Sequence, residues 1–192
     1  MDIIFATNNQ HKIDEIQAIL PATFRIITLK AAGIDIEIPE PHDTLEANAQ
    51  EKARTIHTIT GQNCFSEDTG LEVHALNGEP GVKSARYAGT NRSALDNMNK
   101  LLNELNGNVD RIAQFRTVIC LIIDKKEFLF EGICKGNITT KHEGRAGFGY
   151  DPIFIPSGAE KTFAQMSLEE KGQYSHRSKA VDKLVTFLNN YH

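Results

Sequence analysis

RIAQFRTVICLIIDKKEFLFEGICKGNI, residues 111–138, is the stretch that decides the fold. Two runs dense in Ile, Val, Phe and Thr, residues 111–123 and 127–138, read as long strands. They meet at Asp124-Lys125-Lys126, a polar break short enough only for a hairpin, so the pair runs antiparallel. The rest of the chain alternates short apolar runs with helical periodicity. An antiparallel pair set among such units predicts a mixed α/β fold instead of a simple parallel winding.

Working outward toward the N-terminus, DIIFA (2–6) reads as a buried strand and TNNQHK (7–12) as a polar loop. A helix follows, with Ile13, Ile16, Ile19 and Leu20 on one face and Pro21 as its stop. FRIITL (24–29) is the second strand. An acidic, proline-marked loop, IDIEIPEPHD (34–43), leads to a helix over 44–58. Leu45, Ala49, Ala53 and Ile56 share its apolar face, and Gly61 suits its C-terminal end. NCFSE (63–67) is a short strand, NGEPGVKSARYAGTN (77–91) a long turn-rich connection, and 93–105 a helix. Beyond the hairpin come a short strand at 153–155, a helical turn at 167–171, and a last helix carrying Val181, Leu184, Val185 and Leu188 at helical spacing.

The 192 residues suit one domain spanning 1–192, or two closely joined lobes, and are enough to bury a sizeable core. A hydrophobic fraction of 40% with 24% charged residues is globular composition. The net charge of −4 argues against a general nucleic-acid or anionic-membrane surface, so a phosphate ligand needs local cations. Cys64, Cys120 and Cys134 lie in separate apolar stretches without C-x-x-C spacing and are expected to be reduced, buried thiols. The opening residues lack a basic segment followed by a long apolar one, and no run approaches membrane-spanning length, so a cytoplasmic location is expected.

Five polar clusters carry the candidate chemistry. Residues 7–12 read either as helix capping or as an anion site, in which backbone N–H groups at a helix start and Lys12 hold a phosphate. Glu37, Glu40 and Asp43 form an acidic loop that is either solvated surface or a source of one metal ligand. Glu67-Asp68-Thr69-Gly70 directly follows a strand, where a carboxylate projects into a crevice; the same residues also suit a hydrogen-bonded turn. The available donors are oxygens and no zinc spacing exists, which selects Mg²⁺ or Mn²⁺ over zinc for any metal. Gly144, Gly147 and Gly149 surround Phe148-Gly149-Tyr150-Asp151-Pro152, a loop suited to a planar base or simply a turn with its aromatics in the core. Ser175-His176-Arg177, with Lys171 upstream, concentrates cations before the last helix. Neither a G-x-G-x-x-G nor a G-x-x-x-x-G-K-[ST] motif is present, and the absence of G-x-S-x-G weighs against a serine hydrolase.

In this order, TNNQHK, Glu40 with TLEANAQEKA, SEDTGL, GEPGVKSARYAG, GFGYDPIF and MSLEEKGQYSHR resemble the inosine triphosphate pyrophosphatase family, the XTP/dITP diphosphatases, over nearly the whole chain. The resemblance implies an elongated mixed β-sheet flanked by helices, two lobes with a central substrate cleft, and usually a homodimer. It implies Mg²⁺-dependent hydrolysis of ITP, dITP and XTP to nucleoside monophosphate and pyrophosphate. On that basis Thr7, Asn8, Asn9, Gln10, His11, Lys12 and Lys52 match substrate and phosphate contacts. Glu40 and Asp68 match the acidic positions linked to the metal, and Asp68 also the proton acceptor. Thr69, Phe148, Gly149, Tyr150, Asp151, Lys171, His176 and Arg177 match the remaining substrate positions.

Hypoxanthine and xanthine present O6 as acceptor and N1–H as donor, the reverse of adenine, so Arg177 donating to O6 would disfavour ATP. Three positions depart from the family pattern: Asn8 where glycine is common, Ala47 where a second Glu is frequent, and Lys83 where an aromatic often stands. The Ala47 change removes one possible further metal contact. Two other readings stand beside this one: a pyrophosphatase for other modified nucleotides, and a nucleotide-binding protein without turnover. An RNA-binding module is disfavoured by charge and by the lack of a basic stripe with interleaved aromatics.

Overall fold

The computed structural model describes residues 1–191. In chain order the elements are β1 (Asp2–Phe5), α1 (Gln10–Ile19), β2 (Arg25–Thr28), α2 (Leu45–Thr60), β3 (Cys64–Val73), β4 (Pro80–Gly81), α3 (Ala94–Glu104), β5 (Ile112–Ile123), β6 (Lys126–Ile138), β7 (Phe154–Pro156), α4 (Leu168–Tyr174) and α5 (His176–Asn190). The strand order is β2-β1-β3-β5-β6-β7, with β4 paired to β3. β1 runs parallel to β2 and β3, whereas β3–β4 and β6–β7 are antiparallel, which makes the fold mixed α/β as expected. The hairpin forms at Asp124 and Lys125, both with left-handed φ (50° and 62°), the backbone that a two-residue type I′ connection requires.

The chain divides into two units. The first comprises Met1–Asp68, Thr117–Gly132 and the chain from Arg177 onward; the second comprises Thr69–Arg116 and Ile133–His176.

In the first unit the sheet is covered on both faces. Phe65 stacks on its register partner Phe5, ring centroids 4.4 Å apart, and belongs to a core with Ile13 and Ile16 of α1 and Val181 and Leu184 of α5. Cys64 and Ser66, which point to the other face because strand side chains alternate, donate to the carbonyls of Ala53 and Ala49 on α2. Burial on both faces explains why residues 117–123 of β5 are all buried, with no polar alternation. Thr44 caps α2 by accepting from the Ala47 N–H at 3.2 Å, and Gly61 closes it in the left-handed conformation at φ 66°.

The second unit has its own core, in which Leu71, Leu101 and Leu105 pack with Phe115, Phe154 and Phe163. Here residues 112–116 of β5 alternate in burial, as a sheet covered mainly on one face demands.

One expectation is corrected by the strand lengths. Residues 63–67 predicted a short strand ending before a turn, but β3 runs ten residues, and Glu67, Asp68, Thr69 and Gly70 lie inside it. Gly70 permits this. A Cβ there would lie 2.6 Å from the Gly81 carbonyl oxygen on β4, so only glycine lets the two backbones meet.

Candidate active site

The first unit gathers one set of candidate residues at a topological switch point. From β1 the chain passes through α1 to β2 on one side, then through α2 to β3 on the other, and ligands of open α/β sheets bind outside the carboxyl ends of strands at such a reversal. The β1–α1 loop and residues Glu67 and Asp68 of β3 lie there. Asn9 caps α1, its Oδ1 accepting from the Lys12 N–H at 3.3 Å, and Thr7 Oγ1 accepts from the Asn9 N–H at 3.2 Å. Asn8 Nδ2 donates to the Ile36 carbonyl at 2.9 Å, which ties this loop to the acidic loop. Gln10 and His11 are exposed, Gln10 donating to Asp14 at 2.7 Å. Both earlier readings of residues 7–12 therefore share one geometry, since capping by Asn9 leaves Lys12 in the first turn.

Lys52 occupies the centre of this group. Its ammonium donates to Glu40 Oε1 at 2.6 Å and Asp68 Oδ1 at 3.0 Å, and the residue is only 6% exposed. Helical spacing carries it inward: Leu45, Asn48, Ala49, Lys52 and Ile56 form the buried stripe of α2. Two carboxylates and one ammonium leave this cluster with one net negative charge, so it holds protons tightly. Burial pushes the Asp68 carboxyl above its ordinary range, with Lys52 and Lys12 opposing and Glu40 reinforcing the shift. Burial also weighs against the Lys52 ammonium, but Asp68 and Glu40 outweigh it and hold its pKa above the usual lysine value.

A hard cation fits these donors. Each carboxylate meets Lys52 through one oxygen, Asp68 Oδ2 also accepts from Asn48 Nδ2 at 3.3 Å, and the cluster's net negative charge favours a cation. Among the described residues no group of three or more His, Cys, Asp and Glu side chains forms a metal cage. Two carboxylates completed by water and phosphate oxygens is the arrangement Mg²⁺ commonly adopts.

Arg177 has buried carboxylate partners of its own. It lies in the first turn of α5, is 1% exposed, and grips Glu67 with two parallel bonds, Nε to Oε2 at 2.7 Å and Nη2 to Oε1 at 2.9 Å. Its Nη1 donates to Glu15, and Lys12 joins the far side of the group, 2.8 Å from Glu67 Oε1. The guanidinium read as a donor to a purine O6 meets two carboxylates in this structure, Glu67 and Glu15. Burial pushes the Glu67 carboxyl up, but Arg177 and Lys12 outweigh it and hold it far below the usual carboxylate range. Glu15 was missed in the sequence, and Glu67 was named only within the 67–70 cluster, without a role of its own. The available signal was a carboxylate between Ile13 and Ile16 on an apolar helix face, and another inside a buried strand.

The second unit holds the other set. Asp151 Oδ2 accepts from the Phe148 N–H at 2.8 Å and from Lys171 Nζ at 2.6 Å. The Lys171 ammonium lies 5.2 Å from the Phe148 ring centre and 5.1 Å from that of Phe163, within cation–π range. Tyr150 is buried, its hydroxyl donating to the Ser84 carbonyl at 2.8 Å, while Phe148 and Gly149 are half-buried. His176 stacks on Phe115 at 4.6 Å, so it and the adjacent Arg177 belong to different units. Thr69, half-buried on β3, opens this second unit.

These features define a mixed α/β protein with cation-paired carboxylates on β3 and in the loop before α2, beside a topological switch point. The chain belongs to the Ham1 family, whose model matches residues 3–187. It is 53% identical over 190 residues to the dITP/XTP pyrophosphatase of Flavobacterium psychrophilum, covering 99% of this chain and 100% of that one. The dITP/XTP pyrophosphatase of Porphyromonas gingivalis is 49% identical, with 97% and 96% covered. Among solved structures, the Staphylococcus aureus Ham1 protein superposes with a TM-score of 0.89 at 41% identity, covering 100% of both chains. A Ham1 protein from Coxiella burnetii gives 0.89 at 34% identity, covering 99% of both.

Proposed function

We propose that this protein hydrolyses non-standard purine nucleoside triphosphates, ITP, dITP and XTP, at the bond between the α- and β-phosphates, releasing nucleoside monophosphate and pyrophosphate. The observation that carries this reading is the convergence of Glu40, Lys52 and Asp68 at the switch point of a chain so similar to dITP/XTP pyrophosphatases.

In this reading Glu40 and Asp68 hold Mg²⁺, or Mn²⁺, which when bound neutralises phosphate charge and makes water more acidic. Asp68 accepts the proton of the attacking water as general base. Lys12 and Lys52 stabilise charge developing on the pyrophosphate leaving group, with Thr7, Asn8, Asn9, Gln10 and His11 at the start of α1 as further substrate contacts. Base contacts are assigned to Phe148, Gly149, Tyr150, Asp151 and Lys171, with Thr69 and His176. Arg177 is assigned to O6, as the family resemblance implies.

A homodimer is proposed from the family resemblance, and a cytoplasmic location is proposed beside it. Among the described residues no helix is long and apolar enough to cross a membrane.

The deciding experiment incubates purified protein with Mg²⁺ and, separately, ITP, dITP, XTP, ATP, GTP and CTP, resolving monophosphate, diphosphate, pyrophosphate and phosphate. Monophosphate plus pyrophosphate from ITP and XTP, with little from ATP and GTP, is expected. Diphosphate plus phosphate would mean attack at the γ-phosphorus and overturn the mechanism. Turnover confined to CTP would favour a pyrophosphatase for other nucleotides, and no turnover would favour a binding protein. Asp68→Asn is expected to reduce the rate by about 10²–10⁴-fold while the fold is retained.

A further inference from the structure

Asn48 is 1% exposed on the buried stripe of α2, and its amide is fully engaged. Its Oδ1 accepts from the His42 N–H at 2.9 Å, while its Nδ2 donates to the His42 carbonyl at 3.1 Å and to Asp68 Oδ2 at 3.3 Å. The first two bonds clamp the backbone two residues beyond Glu40. The third holds the Asp68 oxygen other than the one that meets Lys52.

Residues 34–41 have no regular secondary structure, so the place of Glu40 is set by side-chain contacts. Asn48 reaches both carboxylate-bearing segments from one rigid helix. We infer that Asn48 is a positioning residue for the metal-binding carboxylates, fixing the rotation of Asp68 and the path of the Glu40 loop together. The inference rests on the proposed metal role of Glu40 and Asp68. The residue type follows from the chemistry: at this length only an amide offers one acceptor and two donors. Aspartate loses both donors and faces Asp68 with like charge, and leucine leaves the His42 backbone groups and the buried Asp68 carboxylate without this partner.

The test titrates Mn²⁺ alone, followed by its free-ion electron paramagnetic resonance signal, into wild type, Asn48→Ala and Asp68→Asn, with thermal melting on each. Steady-state kinetics on ITP at saturating Mg²⁺ accompany it. Removing a partner that orients a ligating carboxylate commonly costs about 10–100-fold in metal affinity or activity. Asn48→Ala is expected to weaken Mn²⁺ binding by that factor and to lower kcat, with the KM for ITP changed much less. A lower Tm with Mn²⁺ affinity within about twofold of wild type would overturn the inference and leave Asn48 as a loop clamp only.

Should Asn48→Ala fail to fold, the isosteric Asn48→Asp keeps the acceptor for the His42 N–H. Its kcat is expected to fall by about tenfold or more, and wild-type kcat would overturn the inference. Wild-type Mn²⁺ binding that Asp68→Asn does not alter would remove the metal reading itself and this inference with it.

Discussion

Arg177 and Glu67, 110 residues apart in sequence, meet through two parallel hydrogen bonds with both side chains buried. Removing one member of a buried, hydrogen-bonded ion pair leaves an uncompensated charge, at a cost of about 3–5 kcal/mol. Glu67→Gln keeps the shape but not the charge, and a loss near the lower end of that range is expected in urea unfolding. A loss below about 1 kcal/mol would mean that Glu15 alone satisfies Arg177.

The same pair sets an acid limit to stability. The folded pKa of Glu67 lies below its unfolded value, about 4.3, so its contribution is complete above that pH. It is lost as pH falls from there through the depressed folded value. Unfolding free energy measured from pH 7 down to pH 3 is expected to decline more steeply below pH 4.5 in wild type than in Glu67→Gln. Parallel curves would assign the acid loss to other carboxylates.

Lys52→Met removes the cation between Glu40 and Asp68. With two carboxylates left facing each other, attraction for a divalent ion is retained while the charge that steadies the leaving group is gone. A fall in kcat of about 10²–10³-fold with Mn²⁺ binding preserved is expected. Loss of Mn²⁺ binding in the folded variant would show instead that Lys52 mainly organises the carboxylates.

Gly147 has φ 75°, and a Cβ there would lie 2.1 Å from Asp151 Oδ2, the atom that holds both the Phe148 N–H and Lys171. Gly147→Ala is therefore expected to cost more than about 1 kcal/mol in stability. It is also expected to raise the KM for ITP more than it lowers kcat, because the displaced loop carries proposed base contacts. An unchanged KM would separate this loop from base binding.

The sequence by itself determined the elements and much of the candidate list. Periodicity located α1, α2 and α5, the hairpin at Asp124 and Lys125 made the fold mixed, and Thr44 and Gly61 marked the ends of α2, because these signals are local and act within a few residues. Burial of Lys52 was also legible in principle, as a polar residue on an apolar stripe. Only the tertiary structure decided which charges meet. Glu15, Glu67 and Arg177 lie in three separate segments, and no local rule states that a guanidinium at the start of α5 will close on a carboxylate of β3. The extension of β3 through Asp68 and Gly70 likewise depends on β4 approaching a glycine eleven residues away. Such pairings are fixed when the sheet and its helices pack. Buried polar groups must then find partners among whatever residues the fold brings within reach, whatever their distance along the chain.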